Sequence, residues 1–279
     1  MILYPNCKLN LGLHVLRRRA DGYHDLETLF VPCEAYRDRL EIVPCAGEAR
    51  FVGSPEVTWT DDLTMQAYRL LDAEFGLPPV EIRLEKRTPV GAGLGGGSAD
   101  AAFALRALRD LFSLPLDDAA LAARAARLGS DCAFFIYNRP MLGTGRGEIL
   151  EPFDLDLSAW RIEVVVPAGI SVSTAAAYRG IVPRDQSVIS SAPSVISSAV
   201  ETRAKRVMAP QVAKSPSALS SILRRPVTEW KGLLVNDFEA TVFAAYPALA
   251  ALKQDLYDRG AVYAAMSGSG SALFGLFEK

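Results

Sequence analysis

The segment running from Pro89 to Ala102, PVGAGLGGGSADAA, limits what this chain can fold into more than any other. Three consecutive glycines, Gly95 to Gly97, stand beside Ser98 where a helix begins. Ala101, Leu105, Leu108, Leu111 and Phe112 then recur on one side of it. Without Cβ atoms the backbone can approach a ligand closely, and the open N–H groups and positive dipole end of the helix favour phosphate. A flexible turn with an N-cap serine is the structural alternative. Asp100, in the first helical turn, suits the dipole but repels phosphate. Its carboxylate has to point away from the loop, or the phosphate has to sit on the loop side.

The surroundings decide which phosphate loop this is. A Walker A loop needs a lysine followed by Ser or Thr, and no lysine lies in the loop. Residues 91–96 do match G-x-G-x-x-G. A dinucleotide-binding unit, however, continues from helix to parallel strand, with an acidic residue about 20 positions on. Here Asp110 falls inside the helix, and a second helix follows at about 116–128, capped by Asp117 and stopped by Gly129. A dinucleotide-binding oxidoreductase is therefore the runner-up. The protein-kinase signatures HRD and DFG are absent.

Around the loop, helical and strand periodicities follow one another along the chain. Cys7, Leu9, Leu11, Leu13 and Val15 alternate with Lys8, Asn10, Gly12 and His14, as in a half-buried strand. Asp21-Gly22 turns the chain after three solvated arginines, and a strand-like run leads to Val31. A hairpin is predicted at 39–53, a helix at 63–75 capped by Asp61 or Asp62 and stopped by Gly76, and a strand at 80–86. Ser130-Asp131 opens an apolar run from Cys132 to Tyr137. The acidic, turn-rich residues 151–158 predict a boundary between parts 1–155 and 156–279. The second part reads as a strand at 162–166, a short helix at 173–178, helices at 229–244 and 247–258, and strands at 261–266 and 273–277 around the glycine turn 267–271. Residues 185–222, rich in Ser and Ala with SVISSA twice, predict a mobile insertion.

Composition removes several functions. Thirty basic against thirty-two acidic residues give a formal charge of −2, with no overall basic footprint for nucleic acid. No window approaches the roughly 20 apolar residues of a membrane helix, and the N-terminus lacks a signal-peptide pattern. Four cysteines without a CxxC are too few for a disulfide scaffold, which points to a reducing, cytoplasmic setting. Two histidines argue against a multi-histidine metal site, and no metal ligand set is predicted.

The glycine segment resembles the second motif of the GHMP small-molecule kinases, and AAMSGSGSALFG resembles their third. PNCKLNLGLHV, ADGYHDLETLF and LGSDCAFFI narrow the resemblance to members acting on a cytidine diphosphate-linked methylerythritol in non-mevalonate isoprenoid biosynthesis. Other GHMP kinases, with homoserine or mevalonate as acceptor, are a milder rival. The resemblance implies an N-terminal α+β domain, a smaller ferredoxin-like C-terminal domain, and ATP and substrate in the cleft between them. It implies that Pro89, Gly91, Gly93, Leu94, Gly95, Gly96, Gly97 and Ser98 hold ATP with its Mg²⁺. Lys8 and Asp131 would stand at the phosphoryl acceptor, and Asn10, Tyr23, His24, Thr174 and Tyr178 would bind the substrate. Two tyrosines, Tyr23 and Tyr178, would sandwich the base while His24 reads its edge. The chain departs from the family pattern at Ala99, usually a serine, and at Asp62, commonly an asparagine. Read from the residues alone, Lys8 and Asp131 fit a general base with its cationic partner, or a helix cap paired to a structural lysine. Both readings stay open at this level.

Overall fold

The computed structural model describes residues 1–54, 62–184 and 217–279. In chain order they form β1 (Ile2–Leu3), β2 (Asn6–Arg18), β3 (His24–Arg37), β4 (Arg39–Pro44), β5 (Arg50–Gly53), α1 (Leu63–Phe75), β6 (Val80–Glu85), α2 (Gly96–Leu111), α3 (Asp118–Leu128) and α4 (Cys132–Tyr137). After these come β7 (Met141–Thr144), β8 (Ile149–Pro152), β9 (Trp160–Val165), α5 (Thr174–Arg179), α6 (Ala218–Leu223), α7 (Phe238–Ala245), α8 (Pro247–Asp258), β10 (Tyr263–Met266) and β11 (Leu273–Glu278). The strands form three sheets, ordered β1-β4-β6-β5, β2-β3-β7-β8 and β10-β11-β9.

The β2–β3 hairpin is the longest element pair, and it turns where Asp21-Gly22 predicts. Gly22 takes φ +86°, and Arg17 and Arg19 both hold Asp25, at 2.6 and 2.9 Å. The alternation along β2 is real, but its polar face is not solvated. Cys7 to Val15 are buried on both faces: the C-terminal half of the chain covers Cys7, Leu9 and Leu11 through Trp230, Tyr263 and Phe274, while Lys8 and Asn10 are enclosed by the glycine loop, Thr28 and Asp131. Gly12, at φ +66°, marks a register shift between Leu11 and Leu13. Beyond it Leu13, rather than His14, joins Lys8 and Asn10 on the cleft face.

α1 begins and ends at its sequence signals. Asp62 accepts from the Thr64 N–H at 2.7 Å, a cap worth about 1 kcal/mol, and Gly76 closes the helix at φ +62°. α2 is buried from Ala99 to Leu105 and again at Ala107 and Leu108. Its alanines let α1 and α4 pack close, and a helix apolar on most sides has to lie inside. Phe134 and Phe135 of α4, Leu71 of α1 and Leu84 of β6 belong to the same core. A second core joins Leu9, Leu29 and Leu94 to Trp230, Tyr263 and Phe274, so apolar packing spans the two parts expected on either side of residue 155.

Three expectations need correction. The helix predicted at 229–244 starts only at Phe238. Residues 235–237 instead pair with β2, through Leu13 N–H to the Val235 carbonyl and Asp237 N–H to the Leu13 carbonyl. The end of the predicted insertion is helical: α6 buries Leu219 and Leu223, with Ser217 accepting from the Ser220 N–H at 3.1 Å. The remainder of that insertion, 185–216, lies outside the described residues. Finally, β7 and β8 form a hairpin that residue periodicity does not reveal, since each strand has only four residues.

His14 is 2% exposed, and burial together with the Arg184 guanidinium lowers its pKa to about 4. In the unfolded chain it titrates near 6.5, so between pH 6.5 and 4 the unfolded state binds the extra proton. Folding stability is therefore expected to fall as pH drops through that window. Urea titrations at pH 7, 5.5 and 4.5 should show a smaller decline for His14→Gln. An unchanged slope would mean that other groups set it.

Candidate active site

Strand β2 and the glycine loop are fastened together. Lys8 N–H donates to the Leu94 carbonyl at 2.9 Å, and Lys8 Nζ donates to the Gly93 carbonyl at 2.9 Å and to Asn10 Oδ1 at 2.6 Å. Asn10 in turn donates to Thr28 Oγ1 at 3.0 Å, and Thr28 donates to the Gly12 carbonyl at 2.6 Å. This chain leaves the lysine ammonium with little freedom. The carboxylate beside it is that of Asp131, with Oδ2 at 3.5 Å. Asp131 stands at the N-terminus of α4 and makes no capping hydrogen bond. The cap reading therefore has no support, whereas the ion-pair geometry is present. The Lys8 side chain is 4% exposed and that of Asp131 31%, so the carboxylate is the reachable member.

The loop itself is held open from below and from across the cleft. Gly93 and Gly95 take φ +79° and +74°. A Cβ on Gly93 would lie 2.2 Å from the Ser267 carbonyl oxygen, and one on Gly95 would lie 3.1 Å from Lys8 Cγ. Ser267 donates its hydroxyl to the Gly93 carbonyl at 3.0 Å, and Ala272 N–H donates to Ala92. The turn 267–271 thus closes directly on the glycine loop. No side chain caps α2, so the N–H groups of its first turn remain open. Asp100 resolves the charge conflict by pairing with a lysine at the wall of the chamber. It accepts from Lys86 Nζ at 2.7 Å, and the same ammonium bonds Asp38 at 2.5 Å. Asp38 also accepts from the Arg87 and Thr88 N–H groups, at 2.5 and 2.7 Å, which anchors the start of the loop. Burial pushes the Asp100 carboxyl well up despite Lys86.

A Cβ that close to a backbone carbonyl cannot be relieved by a side-chain rotation, and positive φ adds strain. Gly93→Ala is therefore expected to weaken ATP binding at least 10-fold and to lower Tm, read by nucleotide titration and thermal melting. Wild-type nucleotide affinity in this variant would show that the loop has slack.

Two cavities meet along Gly93 and Gly95. The larger, about 1140 Å³, is lined by Lys8, Asn10, Tyr23, His24, Asp131, Thr174 and Tyr178, which are all the acceptor-side residues singled out in the sequence. The smaller, about 460 Å³, is lined by Pro89, Gly91, Gly93, Leu94, Gly95, Gly96, Gly97 and Ser98, with Asp62 and Leu63 at its edge. Lys8 and Asp131 lie at the inner end of the larger chamber. At its other end His24 stacks on Tyr178, ring centroids 4.8 Å apart and 20° between planes, and Tyr178 rests edge-on against Phe238. In this arrangement the imidazole covers one face of Tyr178, so a base stacked on that face requires His24 to swing aside. Tyr23 is 57% exposed, on the chamber rim, with the Arg146 guanidinium 4.9 Å from its ring centroid. Burial and the Asp131 charge push the Tyr178 hydroxyl up to about 12, while burial and Arg18 lower His24. Thr174 Oγ1 lies 3.0 Å from Ser269 Oγ.

Sequence reasoning missed Asn236. Its side chain donates to the carbonyls of Met266 and Gly268, at 2.7 and 2.8 Å, and so fixes the turn that meets the glycine loop. It sits in a segment that periodicity assigned to a helix, and only the long-range pairing to β2 explains it. Thr28 and Arg146 were missed too: Thr28 sits within ADGYHDLETLF but reads there only as a strand residue, and Arg146 belongs to none of the motifs.

Fold and cleft together define a two-domain small-molecule kinase of the GHMP type. The profile of the GHMP kinases N terminal domain matches residues 62–139, and that of the GHMP kinases C terminal domain matches 218–279. The chain is 43% identical over 282 residues to the 4-diphosphocytidyl-2-C-methyl-D-erythritol kinase of Azobacteroides pseudotrichonymphae, covering 100% of this chain and 94% of that protein. It is 44% identical to the enzyme of the same name from Porphyromonas gingivalis, covering 100% and 93%. A crystal structure of 4-(cytidine 5'-diphospho)-2C-methyl-D-erythritol kinase superposes with a TM-score of 0.73 at 33% identity, over 99% of this chain and 90% of that one. A mevalonate kinase structure, at 12% identity and TM-score 0.67, shares the fold. The chain belongs to the 4-diphosphocytidyl-2-C-methyl-D-erythritol kinase family of GHMP kinases.

Proposed function

We propose that this protein transfers the γ-phosphoryl group of ATP to the 2-hydroxyl of 4-diphosphocytidyl-2-C-methyl-D-erythritol, in non-mevalonate isoprenoid precursor biosynthesis. The observation that carries this reading is the Lys8–Asp131 pair, 3.5 Å apart, where the glycine-loop chamber opens into the larger one. ATP would lie in the smaller chamber, its phosphates on the N–H groups of Gly96, Gly97 and Ser98 at the uncapped start of α2. A hydroxyl brought to the junction loses its proton as it attacks, and the accessible Asp131 carboxylate is the base within reach. Lys8 pairs with that carboxylate and stabilises the developing alkoxide. Its bonds to Asn10 and Gly93 orient it for both tasks.

Mg²⁺ bound with ATP would supply neutralisation of phosphate charge, and hard oxygen donors suit it. The Ser98 hydroxyl, beside the 129–132 segment that leads into Asp131, offers one such donor. At the outer end Tyr178, His24 and Tyr23 would take the cytosine, and Thr174 a polar group of the linker. Free thiols at Cys7, Cys33, Cys45 and Cys132 support a reducing compartment, which we take to be the cytoplasm. The test is an ATP-consumption assay with a panel of acceptor alcohols: the cytidine diphosphate-linked methylerythritol, its uridine analogue, mevalonate and homoserine. Turnover is expected with the first alone at low concentration. Faster turnover of mevalonate or homoserine would overturn the assignment.

A further inference from the structure

Between the two ends of the acceptor chamber the wall is cationic. Arg18 from the end of β2, Arg146 from the β7–β8 turn and Arg179 from the end of α5 all line it. Arg18 and Arg179 have no ion-pair partner among the described residues. Among the described residues Arg146 pairs with Glu148 alone, with Nε 3.8 Å from Oε1, while the other Glu148 oxygen accepts from the Arg146 backbone N–H at 2.6 Å. The other carboxylates nearby are engaged: Asp21 with Arg19, Asp25 with Arg17 and Arg19, and Asp131 with Lys8. Solvated arginines at a rim are ordinary, so their position has to decide. Arg146 lies over Tyr23 at one end, and a Cβ on the next residue, Gly147, would be 4.0 Å from Asp131 Oδ1 at the other. It therefore spans the interval between the aromatic cluster and the phosphoryl-acceptor pair. A diphosphate that joins a stacked base to a reacting alcohol has to occupy that interval.

We propose that Arg146 and Arg179, which both line this chamber, recognise the diphosphate of the acceptor. This rests on the reading of the larger chamber as the site for a cytidine diphosphate-linked alcohol. A guanidinium offers paired N–H donors that match two phosphate oxygens, which a lone ammonium cannot. Arg146 would serve a second purpose by holding the exposed Tyr23 ring through its outer face.

The experiment measures binding of CDP and of cytidine by calorimetry at low salt, with the nucleotide chamber saturated by a non-hydrolysable ATP analogue. The wild-type protein is expected to bind CDP at least 10-fold more tightly than cytidine. Arg146→Gln and Arg179→Gln should each reduce that ratio by about 5- to 10-fold and flatten its salt dependence. The ratio is the readout because losing the Tyr23 contact changes cytidine and CDP affinity together. Arg146→Lys should recover part of the ratio. An unchanged ratio in both glutamine variants overturns the arginine assignment while leaving the chamber reading intact. Failure of the wild-type protein to bind either ligand overturns the chamber reading, and the inference with it.

Discussion

Asp131→Asn is expected to lower kcat by roughly 10²-fold or more while leaving the KM for ATP within about twofold. The asparagine keeps the shape of the side chain but cannot take a proton from the acceptor hydroxyl. A 10²-fold loss corresponds to about 2.7 kcal/mol in the activation barrier. ATP binding is insulated, because the glycine loop and the open start of α2 form the other chamber. Stability should hardly move: Asp131 makes no capping bond, its carboxylate is 31% exposed, and Lys8 retains Asn10 and the Gly93 carbonyl as partners. Steady-state kinetics with thermal melting separate these outcomes. Near-wild-type kcat would remove Asp131 from the chemistry and return it to a structural role.

Tyr178→Ala should raise the KM for the cytidine-linked acceptor by about 10- to 100-fold, the equivalent of the ~1–3 kcal/mol typical of base–aromatic stacking. The KM for ATP should change little. The ring is not free-standing, since it lies edge-on to the buried Phe238 and face-on to His24. Removing it therefore also loosens the outer wall, and Tyr178→Phe, which keeps the ring, supplies the comparison. Phenylalanine is expected to restore acceptor affinity to within a few fold. If Tyr178→Ala weakens ATP and acceptor equally, the residue is a packing element rather than a base platform. His24→Ala should, in the same assay, narrow the preference over the uridine analogue.

Where recognition depended on local chemistry, the sequence was a sound guide. The glycine loop needed residues able to take positive φ and to let Ser267 and Lys8 approach, and no other residue type does this cheaply. Asp62, Asp117 and Gly76 marked helix ends because capping is satisfied within a few residues. The seven acceptor-side residues came from the family resemblance rather than from periodicity, five of them within the motifs and Thr174 and Tyr178 outside them, and all seven line one chamber. Their spacing of up to 170 positions could not have been read as proximity.

The sequence by itself determined the phosphate loop with its helix, the ends of α1 and the strand carrying Lys8 and Asn10, each through side-chain periodicity or backbone conformations fixed within one turn or strand. The α+β class came from the family resemblance that the motifs carry. Only the tertiary structure decided that β2 is buried on both faces, that Asp100 turns to Lys86, and that residues 235–237 pair with β2 instead of continuing a helix. It alone placed Thr28 and Arg146 at the cleft and Asn236 under the turn that meets the glycine loop. The reason is physical: burial, buried ion pairs and long-range backbone pairing depend on which distant surface arrives, and local propensities of a fraction of a kcal/mol per residue yield to it.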